Sequence, residues 1–351
     1  MDCSAAPTGS DAHPNPKMIQ AGSRRKLLWP SSDRIQYGSV PSWAEDAIRQ
    51  SFPQLDVVVA RDDETVSQQI EECEILVSWT LKPEQFARCR KLRWIHSPAA
   101  GVRQLFVPGL AESDVLVTNA STVHAIPVAE QAVALLFALA RKLPDSFRYQ
   151  AERRWGHAES WQPGRLATEL YGKTLGIVGL GAIGREVALR AQALGMRVVA
   201  VKRDPNQGAD CADRVYRPQQ LSALLSEADY VVVAAPDTPE THHLIGETEL
   251  RCLKPAACLV NVSRGSLVDT EALTRALESG ALGGAALDVT DPEPLPPEHR
   301  LWQLPNVLIT PHLGGATDRY WQRQADLLQE NLDRYLAGKP LLNLVDKKRG
   351  Y

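Results

Sequence analysis

Short apolar runs alternate with stretches of helical periodicity along most of the chain. The runs hold three to five residues, are rich in β-branched side chains and are continuous, which is typical of parallel strands covered on both faces. Predicted strands lie at residues 26–29, 57–60, 75–78, 94–96, 115–118, 175–178, 197–201, 230–234, 259–262, 285–288 and 307–310. With helical segments between them, they predict an α/β fold with doubly wound parallel sheets.

Three helices have distinct sequence patterns. Ser42, followed three residues later by Glu45, indicates a capping box at the start of a helix over 42–51. A long apolar helix is predicted over 128–141 and an amphipathic helix over about 318–336. Because the character of the chain changes after the fifth predicted strand, we expect two α/β domains with a boundary just beyond that strand.

A glycine-rich turn joins the predicted strand 175–178 to a helical pattern at 185–194. Gly179 gives the turn a φ that other residues avoid, Gly181 lets the backbone approach a pyrophosphate, and Gly184 lets helix and strand pack closely. The N–H groups at the helix start and the helix dipole favour a bound phosphate. The candidate dinucleotide-binding residues are therefore Gly179, Gly181, Ala182, Ile183 and Gly184.

The composition narrows the class of function. Of the 351 residues, 44% are hydrophobic and 23% charged, as in ordinary globular proteins, and the net charge is −3. We therefore expect no broad basic surface for nucleic acid or an anionic membrane. The six cysteines lack Cys-x-x-Cys or zinc spacing, so we expect free thiols, no metal site and a cytoplasmic location.

Two segments bear on membrane association and secretion. The longest apolar block, 132–140, is shorter than the roughly 18 residues that a membrane span needs and is predicted to be a buried helix. Residues 1–24 contain no apolar stretch of the kind found in signal peptides, and their composition predicts a disordered tail. We therefore expect neither a membrane partner nor secretion.

Three polar side chains with complementary chemistry follow predicted strands in the second half of the chain. Arg264 could clamp a carboxylate through two parallel hydrogen bonds and polarise an adjacent carbonyl. Glu293, held between two prolines, could orient a histidine, and His312 could donate a proton near neutral pH. Alone, each also fits a surface arginine, a turn acid or a loop histidine. Together they supply the anchor, orienter and proton donor that nicotinamide hydride transfer needs.

The motifs around these residues resemble those of the D-isomer-specific 2-hydroxyacid dehydrogenases, over about residues 26–345. The resemblance is carried by Gly179-Leu-Gly-Ala-Ile-Gly184, Asn261-Val-Ser-Arg-Gly265, Leu287-Asp-Val289 with Glu293-Pro-Leu295, and Pro311-His-Leu-Gly-Gly315. It implies two Rossmann-like or flavodoxin-like domains with the active site in the cleft between them. After the tail of residues 1–24, residues 25–121 plus 317–345 would form the substrate domain and residues 122–316 the dinucleotide-binding domain.

The resemblance also implies roles for the catalytic residues. Arg264 would bind the carboxylate and keto oxygen of the substrate, and His312 would be the general acid/base. Glu293 would hold and charge His312. Asp288 would contact the nicotinamide amide, unless it only caps the end of its strand.

A loop in the first domain is the second part of the implied substrate site. Its backbone N–H groups would grip the substrate carboxylate, unless the loop is an ordinary tight turn. The loop residues are Ala99, Ala100, Gly101 and Val102. Pro236 and Thr241 are further candidates for cofactor binding, whereas Asp237 stands where members of the family often have a neutral residue and has no explanation from the sequence.

The choice of cofactor is predicted from the strand that follows the glycine turn. In NAD-using members this strand ends with an acid that binds the ribose 2′-hydroxyl, but here Lys202 holds that place and Arg203 follows. Two cations attract a 2′-phosphate, so we expect NADP(H) to be preferred, with NAD(H) usable. If Asp204 turned into the pocket, NAD(H) would be favoured instead.

The sequence predicts a 2-ketoacid reductase or D-2-hydroxyacid dehydrogenase that prefers NADPH and acts on glyoxylate, hydroxypyruvate or a larger 2-keto acid. One alternative is a phosphoglycerate-type dehydrogenase. An alternative of another class is a non-catalytic, dinucleotide-sensing scaffold similar to the corepressors that share this fold. The resemblance also implies a homodimer, with the helix predicted over 128–141 either at the interface or in the core of one subunit.

Overall fold

A computed structural model describes residues 24–31, 39–205 and 210–350. The predicted disordered tail, residues 1–24, therefore lies outside the described residues except for Arg24. Within the described residues the chain forms two sheets in which every strand pairing is parallel. This is the α/β architecture that the sequence predicts.

The first sheet has five strands in the order β2-β1-β3-β4-β5, the flavodoxin-like order. Its strands are β1 (Arg25–Pro30), β2 (Leu55–Ala60), β3 (Ile75–Val77), β4 (Trp94–His96) and β5 (Leu116–Thr118). The helices α1 (Ser42–Ser51), α2 (Asp63–Gln69) and α3 (Pro83–Arg88) connect them. All five strands lie within the range predicted for the substrate domain.

The helix α4 (Ser121–Ala140) leads from the first sheet to the second, and α5 (Leu143–Ala151) and α6 (His157–Ser160) follow it. The sequence prediction started α4 seven residues too late, because Pro127 lies inside the helix rather than in its first turn. By length and composition α4 could cross a membrane, but 67% of its most apolar window is buried inside the protein. It packs against the helix of the glycine turn, which is the environment of a core helix.

The second sheet has seven strands in the order β12-β11-β10-β9-β6-β7-β8, which extends the Rossmann order by one strand. The strands are β6 (Thr174–Val178), β7 (Arg197–Val201), β8 (Arg214–Tyr216), β9 (Tyr230–Val233), β10 (Cys258–Asn261), β11 (Gly284–Leu287) and β12 (Val307–Ile309). Between them lie α7 (Ala182–Ala193), α8 (Leu221–Glu227), α9 (Glu247–Arg251) and α10 (Thr270–Glu278). The edge strand β8 was not predicted, because it has only three residues and two of them are charged or partly exposed.

Both sheets bury side chains on both faces, which explains why their sequences are continuous apolar runs. In the first sheet Leu27 and Ile75 face one core, and Leu28 and Leu76 face the other. The second sheet shows the same alternation, with Ile177, Val198 and Val260 in one core and Val178, Val199 and Leu259 in the other. The parallel sheets are thus covered on both sides, as the sequence predicts.

The last helix, α11 (Tyr320–Leu336), returns to the first sheet. Its buried residues Leu328 and Leu332 belong to the same core as Leu27 and Ile75, and it packs against α1. The segment after α11 then places Val345 N 2.8 Å from Val117 O, beside the last strand of the first sheet. The first domain is therefore built from both ends of the described chain.

The predicted capping box at α1 is wrong. Pro41, in extended conformation, occupies the N-cap position, and Ser42 is the first residue of the helix and makes no capping hydrogen bond. The Glu45 carboxylate instead binds the guanidinium groups of Arg49 and Arg61. Two nearby arginines compete for the acid that the capping box would have used.

Candidate active site

The glycine turn follows β6 directly and opens α7, with Gly181 at the N-cap. Gly179 has a φ of 105°, and a Cβ there would lie 2.6 Å from the backbone of Ala235. A Cβ on Gly184 would lie 2.1 Å from Gly179 O, whereas a Cβ on Gly181 would meet no described atom within 4 Å. The turn is therefore closed on the protein side and open at Gly181. That opening faces the start of a twelve-residue helix and fits a dinucleotide pyrophosphate.

The two predicted cofactor cations follow β7, at the same edge of the sheet. The backbone N–H of Lys202 donates to Tyr216 O at 2.9 Å, which fixes this turn against β8. A hydrogen bond from Thr238 and one from its own backbone lower the pKa of Glu240, and the charge of Arg203 adds to that lowering. Glu240 lies in the same turn as the candidate cofactor residues Pro236 and Thr241.

Pro236 and Thr241 are tied to each other. Thr241 Oγ1 donates to Pro236 O at 2.7 Å and accepts from Thr238 N at 2.8 Å. The Thr241 hydroxyl therefore fixes the turn after β9. Thr241 would therefore contribute to cofactor binding in two ways, by holding the conformation of this turn and by direct contact.

The predicted substrate loop, Ala99 to Val102, lies just after β4. The carbonyl groups of residues 98–100 point towards neighbouring segments of the protein. The Pro98, Ala99 and Ala100 carbonyls each accept a hydrogen bond from a neighbouring segment. The donors are His124 Nε2 (3.3 Å) and Gln324 Nε2 (2.6 Å) to Pro98, Ala120 N (2.9 Å) to Ala99, and Asn119 Nδ2 (3.0 Å) to Ala100. This anchoring fixes the orientation of each peptide in the loop.

The N–H groups of Ala100, Gly101 and Val102 donate to no other residue in the described part of the chain. Gly101 faces Arg264 of the other domain, and a Cβ on Gly101 would lie 3.1 Å from Arg264 Nη2. The structure thus brings together two groups 163 positions apart, a row of backbone donors and a guanidinium. Both bind carboxylates, so the juxtaposition favours the functional interpretation of this loop over an ordinary turn.

The Arg264 side chain is held by its own loop, which follows β10. Asn261 Nδ2 donates to Arg264 O at 2.9 Å, and Asn261 Oδ1 accepts from Ser263 N at 3.0 Å. Arg264 Nη1 donates to Ser263 O at 2.7 Å, which orients the plane of the guanidinium. The nitrogen nearest Gly101 belongs to the other amino group and faces the cleft between the domains.

The predicted acid–histidine pair is formed. His312 Nδ1 lies 2.6 Å from Glu293 Oε1, and both side chains are partly exposed. His312 has a φ of 53°, a left-handed conformation that a residue other than glycine adopts only where its surroundings impose it. With Nδ1 bound to the carboxylate, Nε2 is the ring nitrogen through which His312 would exchange a proton with a substrate.

Asp288 imposes the conformation of the His312 loop. It is 3% exposed, and its carboxylate accepts from Gly314 N at 2.8 Å, Leu313 N at 3.0 Å and Thr310 Oγ1 at 2.5 Å. Its backbone carbonyl accepts from His312 N at 2.9 Å. These contacts are those of the strand-end cap that the sequence left as an alternative, while the contact with a nicotinamide amide stays a prediction.

Two residues near the site were not predicted. Gln131 Nε2, on α4, donates to Thr310 Oγ1 at 3.1 Å and lies 3.4 Å from Asp288 Oδ1, so α4 also supports the histidine loop. Burial lowers the pKa of His124 to about 4, and the charges of Arg264 and His312 add to that effect. His124 is therefore a neutral imidazole beside the substrate loop. Neither residue has a sequence signal, because both lie within one long apolar helix.

The fold and these motifs match known proteins. Residues 133–314 match the family model for the D-isomer specific 2-hydroxyacid dehydrogenase, NAD binding domain. A glyoxylate reductase from Korarchaeum cryptofilum is 38% identical over 290 residues, covering 81% of this chain and 86% of its own. A D-3-phosphoglycerate dehydrogenase from Synechocystis is also 38% identical, over 257 residues, covering 73% of this chain but 45% of its own.

Among solved structures, the chain resembles an NADPH-dependent glyoxylate/hydroxypyruvate reductase from Sinorhizobium meliloti in complex with NADP and sulfate. The identity is 26% and the TM-score 0.78, and the match covers 93% of this chain and 100% of the other. The family model spans more than half of the chain, and the site geometry carries the residues of the family motifs. The chain belongs to the D-isomer-specific 2-hydroxyacid dehydrogenase family and is an NAD(P)-dependent dehydrogenase.

Proposed function

We propose that this dehydrogenase reduces small 2-keto acids such as glyoxylate and hydroxypyruvate, and that it prefers NADPH while still using NADH. The observation that carries the proposal is the approach of Gly101 to Arg264 across the cleft, beside the His312–Glu293 pair. It places two carboxylate-binding groups and one proton donor around the same opening. The similarity to glyoxylate reductases supports the choice of substrate.

The proposed roles follow from the contacts. The N–H groups of Ala100, Gly101 and Val102 hold the substrate carboxylate from one side, and Arg264 holds it from the other. Arg264 also polarises the keto oxygen, and His312 Nε2 gives that oxygen a proton. When bound, the nicotinamide supplies the hydride for the keto carbon. Glu293 keeps the imidazole of His312 in the orientation that presents Nε2 to the cleft.

Cofactor preference rests on the two cations after β7. Lys202 and Arg203 follow β7 at the sequence position where NAD-using members carry the acid that binds the ribose 2′-hydroxyl, and two cations there support binding of a 2′-phosphate. The similar reductase from Sinorhizobium meliloti was solved with NADP. NADPH is therefore the proposed physiological reductant.

The phosphoglycerate-type alternative has less support. This chain covers 86% and 82% of two similar glyoxylate reductases but 45% of the Synechocystis dehydrogenase, which favours the glyoxylate reductases as the functional guide. The scaffold alternative predicts cofactor binding without turnover. Substrate tests with a phosphorylated and an unphosphorylated keto acid separate both alternatives from the main proposal.

We further propose a homodimer in the cytoplasm, with no nucleic acid or membrane as partner. The helix α4 is mostly buried within one subunit, so it offers little surface for a partner. Large apolar side chains are instead exposed just after it: Phe147 (54%), Trp155 (89%), Trp161 (70%) and Tyr171 (76%). Light scattering of the purified protein and of a Trp155→Ser, Trp161→Ser variant tests whether this surface forms the dimer interface. A monomeric wild-type protein would rule out the homodimer.

The activity is tested with a panel of glyoxylate, hydroxypyruvate, phosphohydroxypyruvate and oxaloacetate, each with NADPH and with NADH. The proposal expects the highest kcat/KM for the small unphosphorylated acids with NADPH. Fastest turnover of phosphohydroxypyruvate would support the phosphoglycerate type. Binding of NADPH without any turnover would support the scaffold, and the His312→Ala variant confirms that any observed turnover comes from this site.

A further inference from the structure

An ion pair joins the two domains next to the substrate loop. Arg103 Nη1 lies 3.2 Å from Asp237 Oδ2, although the two residues are 134 positions apart. Arg103 comes directly after Val102 and opens a short 3₁₀ helix, and Asp237 follows β9 in the other domain. The Asp237 side chain is 21% exposed, so the carboxylate is shielded even though the guanidinium, at 83%, is not.

The second oxygen of Asp237 holds another loop of the site. Asp237 Oδ1 accepts from Ser266 Oγ at 3.0 Å. Ser266 lies two positions after Arg264, in the 3₁₀ helix Gly265–Leu267, and its carbonyl accepts from His243 N at 2.8 Å. One carboxylate therefore bonds on one side to the substrate loop and on the other to the loop of Arg264.

These contacts join the same two loops as the approach of Gly101 to Arg264. Gly101 and Arg103 belong to one loop, and Arg264 and Ser266 belong to the other, so Asp237 connects the same two loops that would hold the substrate carboxylate. A bridge of this kind limits how far the two loops can separate. A small change in that spacing matters, because a carboxylate must reach both sets of donors at hydrogen-bond distance.

We propose that Asp237 is a positioning residue that sets the spacing between the substrate loop and Arg264, acting through Arg103 and Ser266. This inference rests on the proposed function, because the spacing serves the binding of a 2-keto acid. It explains why an acid stands at a position where the family often has a neutral residue. Asp237 acts on the substrate only through the two loops that it holds.

The expected effect has a characteristic size and salt dependence. A partly exposed ion pair contributes modestly and is screened by salt, so its loss changes affinity about two- to fivefold at low ionic strength. The effect falls on KM, because the two loops bind substrate in the ground state as well as in the transition state. The hydrogen bond between Ser266 and Asp237 has a neutral donor, so it is less sensitive to salt than the ion pair with Arg103.

The test measures kcat and KM for glyoxylate, and for oxaloacetate as a keto acid with a second carboxylate, at saturating NADPH in 20 mM and 500 mM NaCl. Arg103→Gln and Asp237→Asn should each raise KM about two- to fivefold in low salt, with kcat nearly unchanged. The double variant should be no worse than the more affected single variant, and the differences should shrink in high salt. Asp237→Ala, which also loses the bond to Ser266, should exceed Asp237→Asn. Lys91→Gln, which removes an exposed ion pair elsewhere in the first domain, is the matched control.

Three results would overturn the proposal. They are an unchanged KM in both single variants, strictly additive effects in the double variant, and a loss confined to keto acids with a second carboxylate. The last result would show that Arg103 binds substrate directly.

Hydrogen exchange provides a readout that does not need activity. The amides of Leu105, Leu267 and Val268, which are hydrogen-bonded within the two loops, should exchange faster in Asp237→Asn than in wild type or Lys91→Gln at low salt. If the wild type turns over no keto acid, the proposed function fails while this comparison still decides the positioning role. Equal exchange in all three proteins would reject that role.

Discussion

His312 Nδ1 lies 2.6 Å from Glu293 Oε1, across 19 positions of sequence that include the whole of β12. In the proposed function, this pair supplies the proton and the carboxylate-binding groups hold the substrate. Nδ1 is bound to the carboxylate, and Nε2 is the nitrogen that the proposed function assigns to proton transfer. The kinetic consequences of this arrangement can be separated from those of substrate binding.

Glu293→Gln should lower kcat for keto-acid reduction about 10- to 100-fold, because the neutral amide no longer stabilises the imidazolium that donates the proton. The KM for the keto acid should change little, since Glu293 binds His312 Nδ1 and would act on the substrate only through that ring. Steady-state kinetics with NADPH measures both constants. Glu298→Gln, an exposed acid in the same loop, should retain wild-type rates. A similar loss in both variants would point to disruption of the loop instead of loss of the pair.

Arg264→Lys should lower kcat/KM about 100-fold or more, a loss of about 2.7 kcal/mol in transition-state stabilisation. Lysine keeps the charge but cannot form two parallel hydrogen bonds with a carboxylate, and it loses the orienting bond to Ser263 O. Arg275→Lys on α10, an exposed surface arginine, is the control. Retention of wild-type kcat/KM in Arg264→Lys would mean that charge alone binds the substrate.

Asp288→Ala should reduce both stability and turnover, because Leu313 N and Gly314 N lose their acceptor in a buried position. The loss of a buried acceptor is expected to lower the free energy of unfolding by about 1–3 kcal/mol. Urea denaturation measures this change, and kcat reports the displacement of His312. Asp288→Asn keeps one acceptor oxygen, so its stability and kcat should lie between those of the wild type and of Asp288→Ala. A fall in NADPH affinity without a fall in stability would instead support a direct contact with the nicotinamide.

Stability should decrease as the pH falls from about 6.5 towards 4. Burial lowers the pKa of both His96 and His124 to about 4. Between this value and the ordinary histidine pKa of about 6.5, the unfolded chain binds protons that the folded chain does not. In this range each histidine lowers the free energy of unfolding by on the order of 1 kcal/mol for every unit that the pH falls. Above about pH 6.5 the full stability is present.

Urea midpoints measured from pH 7.5 to 4.5 test this dependence. His96→Gln and His124→Asn should each flatten the slope, even if they lower stability at pH 7.5. His157→Gln, at an exposed site, should leave the slope as it is. A slope that survives both core substitutions would assign the acid sensitivity to other groups.

Lys202→Asp combined with Arg203→Ala should reverse the cofactor preference. The variant loses the cations that attract a 2′-phosphate and gains an acid that can accept from a ribose 2′-hydroxyl. The KM for NADPH should rise at least about tenfold and that for NADH should fall, with kcat for the preferred cofactor retained. Arg217→Ala, an exposed cation after β8, is the control. An unchanged preference would contradict the assignment of these two residues.

Much of the fold could be read from the sequence because most strands are buried on both faces. Side chains such as Leu27 and Leu28 face different cores, so the whole strand must be apolar and the run is visible without an alignment. The edge strand β8 escapes this rule, because its first residue, Arg214, is exposed. Helix starts were less certain, as Pro41 and Pro127 show, since local signals there compete with tertiary contacts.

The candidate site was predictable where its chemistry follows strand ends. Arg264, Glu293 and His312 each lie just beyond a strand or in the loop that follows it, and parallel strands bring such positions to one edge. The contact of Asp237 with Arg103 was not predictable, because it depends on how two separate sheets face each other, and its contact with Ser266 depends on side-chain packing between loops that are distant in the sequence. The same limit applies to Gln131, whose partners lie 157 and 179 positions away.

The return of α11 to the first sheet has a consequence for synthesis of the protein. Leu328 and Leu332 complete the core around Leu27 and Ile75, whereas every strand of the second sheet has already been made by residue 309. On the ribosome, the dinucleotide-binding half can therefore fold first. The first sheet must wait, with one apolar face uncovered, until α11 has emerged. We expect nascent chains in that interval to be the form of this protein most dependent on chaperones.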